Sequence, residues 1–114
     1  MTDLSEYDER NATTGDTVIL WCNTSHSSGV QWTQNTTWKH MHSYLYINGT
    51  IVGPWYVEER FSVISSQPGE YSLRIYNVYP MISGLYDCYE TNGRRIIGYY
   101  LVTKRRFLIT FMRK

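Results

Sequence analysis

Gly84-Leu85-Tyr86-Asp87-Cys88-Tyr89-Glu90-Thr91 reads as a β-strand, and the rest of the chain is ordered by working outward from it. Side chains along a strand alternate between two faces, so Tyr86 and Cys88 share one of them. Asn92-Gly93 follows, a hairpin dipeptide because both turn positions tolerate positive φ, and Arg94 to about Lys104 forms the return strand. On the N-terminal side, Tyr71, Leu73 and Ile75 alternate with Ser72, Arg74 and Tyr76. Before them, Phe61-Ser-Val-Ile-Ser65 is closed by Gln67-Pro68-Gly69. Tyr44 to Ile47 leads into a second hairpin signal, Asn48-Gly49. Val30 and Trp32 share a face, and Val18, Leu20 and Cys22 share a face within Thr17–Asn23. A weaker strand falls near residues 4–10. Eight or nine short alternating segments between turn signals predict an all-β sandwich or barrel.

Composition agrees. The chain has 114 residues, enough for one domain and too few for two. Eleven Tyr and four Trp suit pleated, half-buried surfaces. The net charge of +1 is unevenly spread, because residues 104–114 carry Lys104, Arg105, Arg106, Arg113 and Lys114 with no acid. A basic tail on an acidic body is not the broad basic face of a nucleic-acid-binding protein. No stretch reaches the roughly twenty apolar residues that span a bilayer, so any membrane attachment is expected through segments outside this sequence. The N-terminus lacks the zones of a signal peptide and reads as the start of an excised domain.

Asn11-Ala-Thr13, Asn23-Thr-Ser25, Asn35-Thr-Thr37 and Asn48-Gly-Thr50 fit the N-glycosylation pattern. Ser and Thr make 22 of the residues, so about one of the six Asn is expected to match by chance, and four do. Two Cys far apart in sequence agree with an oxidising compartment. These features predict an extracellular domain, either a cell-surface ectodomain or secreted.

Cys22 is followed ten residues later by Trp32, and Cys88 lies 66 positions after Cys22. That order, with Ser83-Gly-Leu-Tyr86-Asp-Cys88, resembles the variable-type (V-set) immunoglobulin domain, in which a Tyr precedes the second Cys by two residues. Trp32-Thr-Gln34, Arg60-Phe61-Ser62 and Tyr71-Ser-Leu73-Arg-Ile75 resemble strands of the same family, and the match covers residues 15–103. The interval from Trp32 to Arg60 leaves room for the two strands that distinguish variable from constant types. Ile82 stands where the family usually has an Asp paired with Arg60, leaving Glu58 or Glu59 as substitutes. Ile97-Gly98-Tyr99-Tyr100 lacks the second glycine of the antigen-receptor bulge. These departures point away from antibody-like pairing and towards an innate immune-type receptor or adhesion molecule.

The resemblance implies a two-sheet Greek-key sandwich over residues 1–103, with 104–114 as the end of the last strand or a linker. It implies a Cys22–Cys88 disulfide joining the sheets, with Trp32, Tyr86 and Leu73 in the core. Such a bridge stabilises by on the order of 4 kcal/mol through chain entropy. It also sets the acids Asp3, Glu6, Asp8 and Glu9 near Lys104, Arg105 and Arg106.

Catalysis finds little support. His26, His40 and His42 are the only histidines, and the pair His40 and His42 lacks the third ligand that even an open zinc site needs. No phosphate loop, nucleophile elbow or acid pair is present, so no enzyme activity, metal or cofactor is expected. Recognition remains. On the sheet that the family letters C–C′–F–G, alternation turns Gln31, Thr33, Asp87 and Tyr89 outward, with Tyr99 or Tyr100 and Tyr44 or Tyr46. Tyr is favoured at interfaces because it buries large area and keeps a hydroxyl. The expectation is a protein counter-receptor, or a second copy of the chain, bound through that face. The Glu90–Arg95 hairpin with Arg94 and Arg95 is a competing site, which glycans on Asn23 and Asn48 would crowd. The alternative is a secreted lectin-like module that stacks Trp38 and Trp55 on microbial or other glycans.

Overall fold

The alternating segments become nine β-strands in a computed structural model, which describes residues 4–25, 29–36, 42–53 and 59–105. They are β1 (Asp8–Thr13), β2 (Val18–Leu20), β3 (Val30–Thr36), β4 (His42–Ile47) and β5 (Thr50–Ile51), then β6 (Phe61–Ile64), β7 (Ser72–Ile75), β8 (Gly84–Glu90) and β9 (Arg95–Lys104). One sheet runs β1-β9-β8-β3-β4-β5 and the other β2-β7-β6, and the chain crosses between them after β1, β2, β5 and β7. The pair β4 and β5 extends the larger sheet as the variable type requires. The expected all-β two-sheet sandwich is the observed one.

Inward positions of both sheets make a single core. Val18, Leu20, Phe61, Leu73 and Ile75 face Val30, Trp32, Leu45, Tyr86, Tyr99 and Leu101, and all are buried. Burying a side chain such as Leu73 completely stabilises by about 2 kcal/mol. Cys22 and Cys88 are bonded, with Cα atoms 6.6 Å apart, so one covalent link joins the two sheets. Trp32 stands opposite Cys88 in the β3–β8 register and donates its indole N–H to the Tyr71 carbonyl at 2.8 Å. Tyr86 donates its hydroxyl to the Ile82 carbonyl at 2.5 Å and accepts from Gln34 Nε2 at 2.9 Å. A buried phenol needs such partners, and burial pushes its ionisation far above the ordinary tyrosine range.

Several expectations are corrected. Arg60 does not take Glu59 as substitute partner: its guanidinium donates to the carbonyls of Tyr76, at 3.1 Å, and Asn77, and lies 4.5 Å above the Tyr79 ring. Glu58 lies outside the described residues. The first strand is at Asp8–Thr13 rather than 4–10, because Leu4–Glu6 turns as a 3-10 helix before β1 meets β9. β2 is shorter than Thr17–Asn23 because the Cys22 N–H turns to the Ser72 hydroxyl at 3.1 Å. Ser72 is fully buried, and its hydroxyl accepts that bond. β1 runs parallel to β9, with Asp8 beside Tyr99 and Thr13 beside Lys104. That direction puts Asp8 and Glu9 at the opposite end of the pair from Lys104, so the expected acid–base proximity does not form there. The remainder of the tail, residues 106–114, is outside the described part of the chain.

Two bulges reset the alternation. Trp32 pairs with Tyr46 but Thr33 pairs with Tyr44, leaving Leu45 as an extra residue in β4. Cys88 pairs with Ile97 but Tyr89 with Arg95, leaving Ile96 as an extra residue in β9. A bulge leaves two residues opposite one and shifts which side chains face inward.

Candidate functional site

β3 and β8 are neighbours in the middle of the larger sheet, and their odd-numbered residues share its outer face. Gln31 pairs with Tyr89 and Thr33 with Asp87, so these four lie in one block. β4 adds Tyr44, which is 53% exposed and the most exposed tyrosine among the described residues. Gln31, Thr33, Ser43, Tyr44 and Tyr89, with Gly93 of the β8–β9 turn, line a groove of about 440 Å³. Thr33 forms part of its wall. The residue is 6% exposed, and its hydroxyl has no hydrogen-bond partner among the described residues. A buried hydroxyl without a partner is costly, by roughly 1–3 kcal/mol, unless water or a ligand supplies the bond.

Beside the groove lies a charged cluster. Arg95 Nε donates to Asp87 Oδ1 at 2.7 Å, and the Tyr7 hydroxyl donates to Asp87 Oδ2 at 3.1 Å. The Arg95 guanidinium also covers the Tyr7 ring at 4.5 Å and donates to the Glu6 carbonyl at 2.9 Å. Asp87 keeps only 4% of its side chain exposed, so its charge is held by these partners rather than by water. Gly98, opposite Asp87, makes the cluster possible: a Cβ there would collide with the ends of Arg95, Asp87 and Tyr7. Burial and the Asp87 charge raise the ionisation of Tyr7 and Tyr89, so both are neutral phenols near neutral pH.

The sequence-expected face is thus partly assembled and partly corrected. Gln31, Thr33, Tyr44, Asp87 and Tyr89 come together, and Tyr100 is half-buried on the outer side opposite Leu85. Tyr46 and Tyr99 do not join them. Tyr46, shifted by the Leu45 bulge, is 8% exposed, and Tyr99 stacks on Trp32 with ring centres 6.4 Å apart. Arg94 and Arg95 part ways. Arg94 stays at the hairpin, 70% exposed and 3.4 Å from Glu90, while Arg95 turns onto the sheet face. Tyr7 was not foreseen, since 80 residues separate it from Asp87 and only the parallel β1–β9 pairing brings them together.

Of the sequon asparagines, Asn11, Asn23 and Asn48 are exposed and Asn35 is half-buried. Trp38, Trp55, His26 and His40 lie outside the described residues, as does the side chain of His42. Among the described residues no trio of His, Cys, Asp or Glu is placed to hold a metal ion, and no helix is long and apolar enough to cross a membrane.

No protein-family model and no curated protein matches the chain. Solved structures do. The ZIG-8 IG1 homodimer is similar with a TM-score of 0.72 at 15% identity, covering 89% of this chain and 82% of that one. The first Ig domain of the mouse polymeric immunoglobulin receptor gives 0.70 at 18% identity, covering 90% and 94%. The extracellular fragment of novel immune-type receptor 11 gives 0.66 at 17% identity, covering 87% and 97%. At such identities the likeness is one of fold.

Proposed function

Since this chain is a variable-type immunoglobulin domain, we propose that it is an extracellular recognition domain, not an enzyme, of an immune-type or adhesion receptor. It binds a protein, a second copy of itself included, through the outer face of β4, β3, β8 and β9. One observation carries this reading: the groove between Tyr44 and Tyr89, with the buried, unpartnered Thr33 hydroxyl in its wall. Two tyrosine rings supply apolar area, while Gln31, Thr33 and Ser43 supply polar atoms for orientation. That mixture suits a protein interface centre, where aromatic anchors sit among a few satisfied hydrogen bonds. The Asp87–Arg95–Tyr7 cluster forms a rigid rim beside it. A standard interface buries about 800 Å² per partner, which a four-strand face of a small domain supplies. The similar ZIG-8 domain forms a homodimer, and the Cys22–Cys88 bridge agrees with an oxidising compartment.

Sedimentation velocity across a wide concentration range, with a binding screen against cell-surface ectodomains, tests this. The expected result is a dimer or a saturable complex that weakens about tenfold or more on Tyr44→Ala. A domain that stays monomeric and finds no ectodomain partner, or a complex indifferent to both Tyr44→Ala and Tyr89→Ala, overturns it. The lectin-like alternative depends on Trp38 and Trp55 and draws no support from the described residues.

A further inference from the structure

Three of the four sequons fall on or beside the free edges of the two sheets. β1 and β5 are the outer strands of the larger sheet among the described residues, and β2 is an outer strand of the smaller one. Asn11 lies within β1, Asn48 lies in the turn immediately before β5, and Asn23 follows β2, bridged to Glu70. All three are exposed. The fourth, Asn35, lies in β3, which is paired on both sides, and is half-buried.

An edge strand presents unpaired N–H and C=O groups that invite another chain to add a strand, and charged side chains are one usual guard. The first half of β1 has them in Asp8, Glu9 and Arg10, but Asn11-Ala12-Thr13 carries none. β5 is Thr50-Ile51 and β2 is Val18-Ile19-Leu20, both without charge. The uncharged edges β2 and β5 thus each have a sequon beside them, and the uncharged half of β1 contains one. The remaining edge, β6, is also uncharged and has no sequon, and it opens directly after Arg60.

We propose that N-linked oligosaccharides on Asn11, Asn23 and Asn48 guard these edges, closing them to strand addition while leaving the outer face of β3 and β8 bare. In each modification the asparagine Nδ2 forms a bond to the anomeric carbon of an oligosaccharide carried on a lipid pyrophosphate. The bond from that carbon to the pyrophosphate oxygen breaks, the lipid pyrophosphate leaves, and the amide gives up one proton. A bulky solvated group on an exposed edge position hinders the close approach, about 4.8 Å, that a neighbouring strand needs.

The test is expression of the full chain through a eukaryotic secretory pathway, with site occupancy read by peptide mass spectrometry. The wild type is then compared with N11Q/N23Q/N48Q by light scattering and amide hydrogen exchange. The expected result is occupancy at all three sites, and a shift of the triple variant towards dimers and larger species with new protection of β1, β2 and β5 amides. Enzymatic removal of glycans from the folded wild type gives the same readout should the variant fail to be secreted. Vacant sequons at these positions overturn the proposal. So does a deglycosylated domain that associates no more than the glycosylated one, or one whose new protection falls on β3 and β8. That last result points instead to association through the face, so the two proposals fail separately.

Discussion

Arg95 Nε and Asp87 Oδ1 are 2.7 Å apart on the outer face of β8 and β9, with the carboxylate nearly closed off from solvent. Removing one partner of such a pair leaves a buried charge uncompensated, which is worse than removing both. Arg95→Met is expected to destabilise by about 2 kcal/mol, the figure being reduced because Arg95 itself is partly exposed. Asp87→Asn in the same background should recover part of that loss. Urea denaturation of the two single variants and the double variant measures the coupling.

Gly98 and Gly84 are constrained in different ways. At Gly98 a Cβ meets mobile ends of side chains, so Gly98→Ala should cost about 1–2 kcal/mol and be non-additive with Arg95→Met. At Gly84, with φ +152°, a Cβ would lie 2.5 Å from the Asn35 carbonyl oxygen and 2.6 Å from the Thr36 Cα. Backbone cannot step aside as a side chain can. Gly84→Ala is expected to cost about 3 kcal/mol or more, visible as a lowered Tm in calorimetry.

The 66-residue separation of Cys22 and Cys88 sets the loop whose entropy the disulfide restricts. Reduction, or Cys22→Ala with Cys88→Ala, should lower stability by on the order of 4 kcal/mol. For a domain of this size that is a large share of the total. Tryptophan fluorescence should report the loss directly, since Trp32 stands opposite Cys88.

Alkaline pH should unfold the domain. Burial raises the ionisation of Tyr86, Tyr46 and Tyr99 above the ordinary value near 10, and Tyr7 and Tyr89 move the same way. The folded state therefore holds its phenolic protons more tightly than the unfolded chain. Stability is full below about pH 10 and falls as pH rises beyond it. Glu70 behaves in the opposite sense. The Ser66 hydroxyl bonded to its carboxylate lowers its pKa, so its contribution is present above about pH 4 and is lost on acidification. Chemical denaturation at a series of pH values, with tyrosinate absorbance followed at the alkaline end, checks both signs.

The sandwich was legible because its signals are local or fixed in spacing. Cys22, Trp32, Tyr86 and Cys88 each sit on an alternating strand, and the turns at Asn48-Gly49 and Asn92-Gly93 are short and strongly specified. The phase of β3 and β8 was legible for the same reason, since neither strand is interrupted between its turn and its centre. Tyr46 escaped because period-two counting fails across the extra residue Leu45, and no side chain announces a bulge there. Tyr99 could be separated from Tyr100 only by the register with Tyr86, a relationship between strands rather than within one. Arg60 turned to carbonyls because Ile82 removed its acid, and backbone acceptors leave no trace in a sequence. The Tyr7 contact depends on a parallel pairing across most of the chain, which composition and spacing do not encode.

That parallel pairing has a mechanical consequence. β1 enters beside Tyr99 and β9 leaves beyond Lys104, running in one direction through six matched positions. Tension drawn along the polypeptide from its two ends slides β1 and β9 past each other, loading the rungs between them together instead of peeling them singly. A module wired this way resists stretching until that short patch yields as a unit.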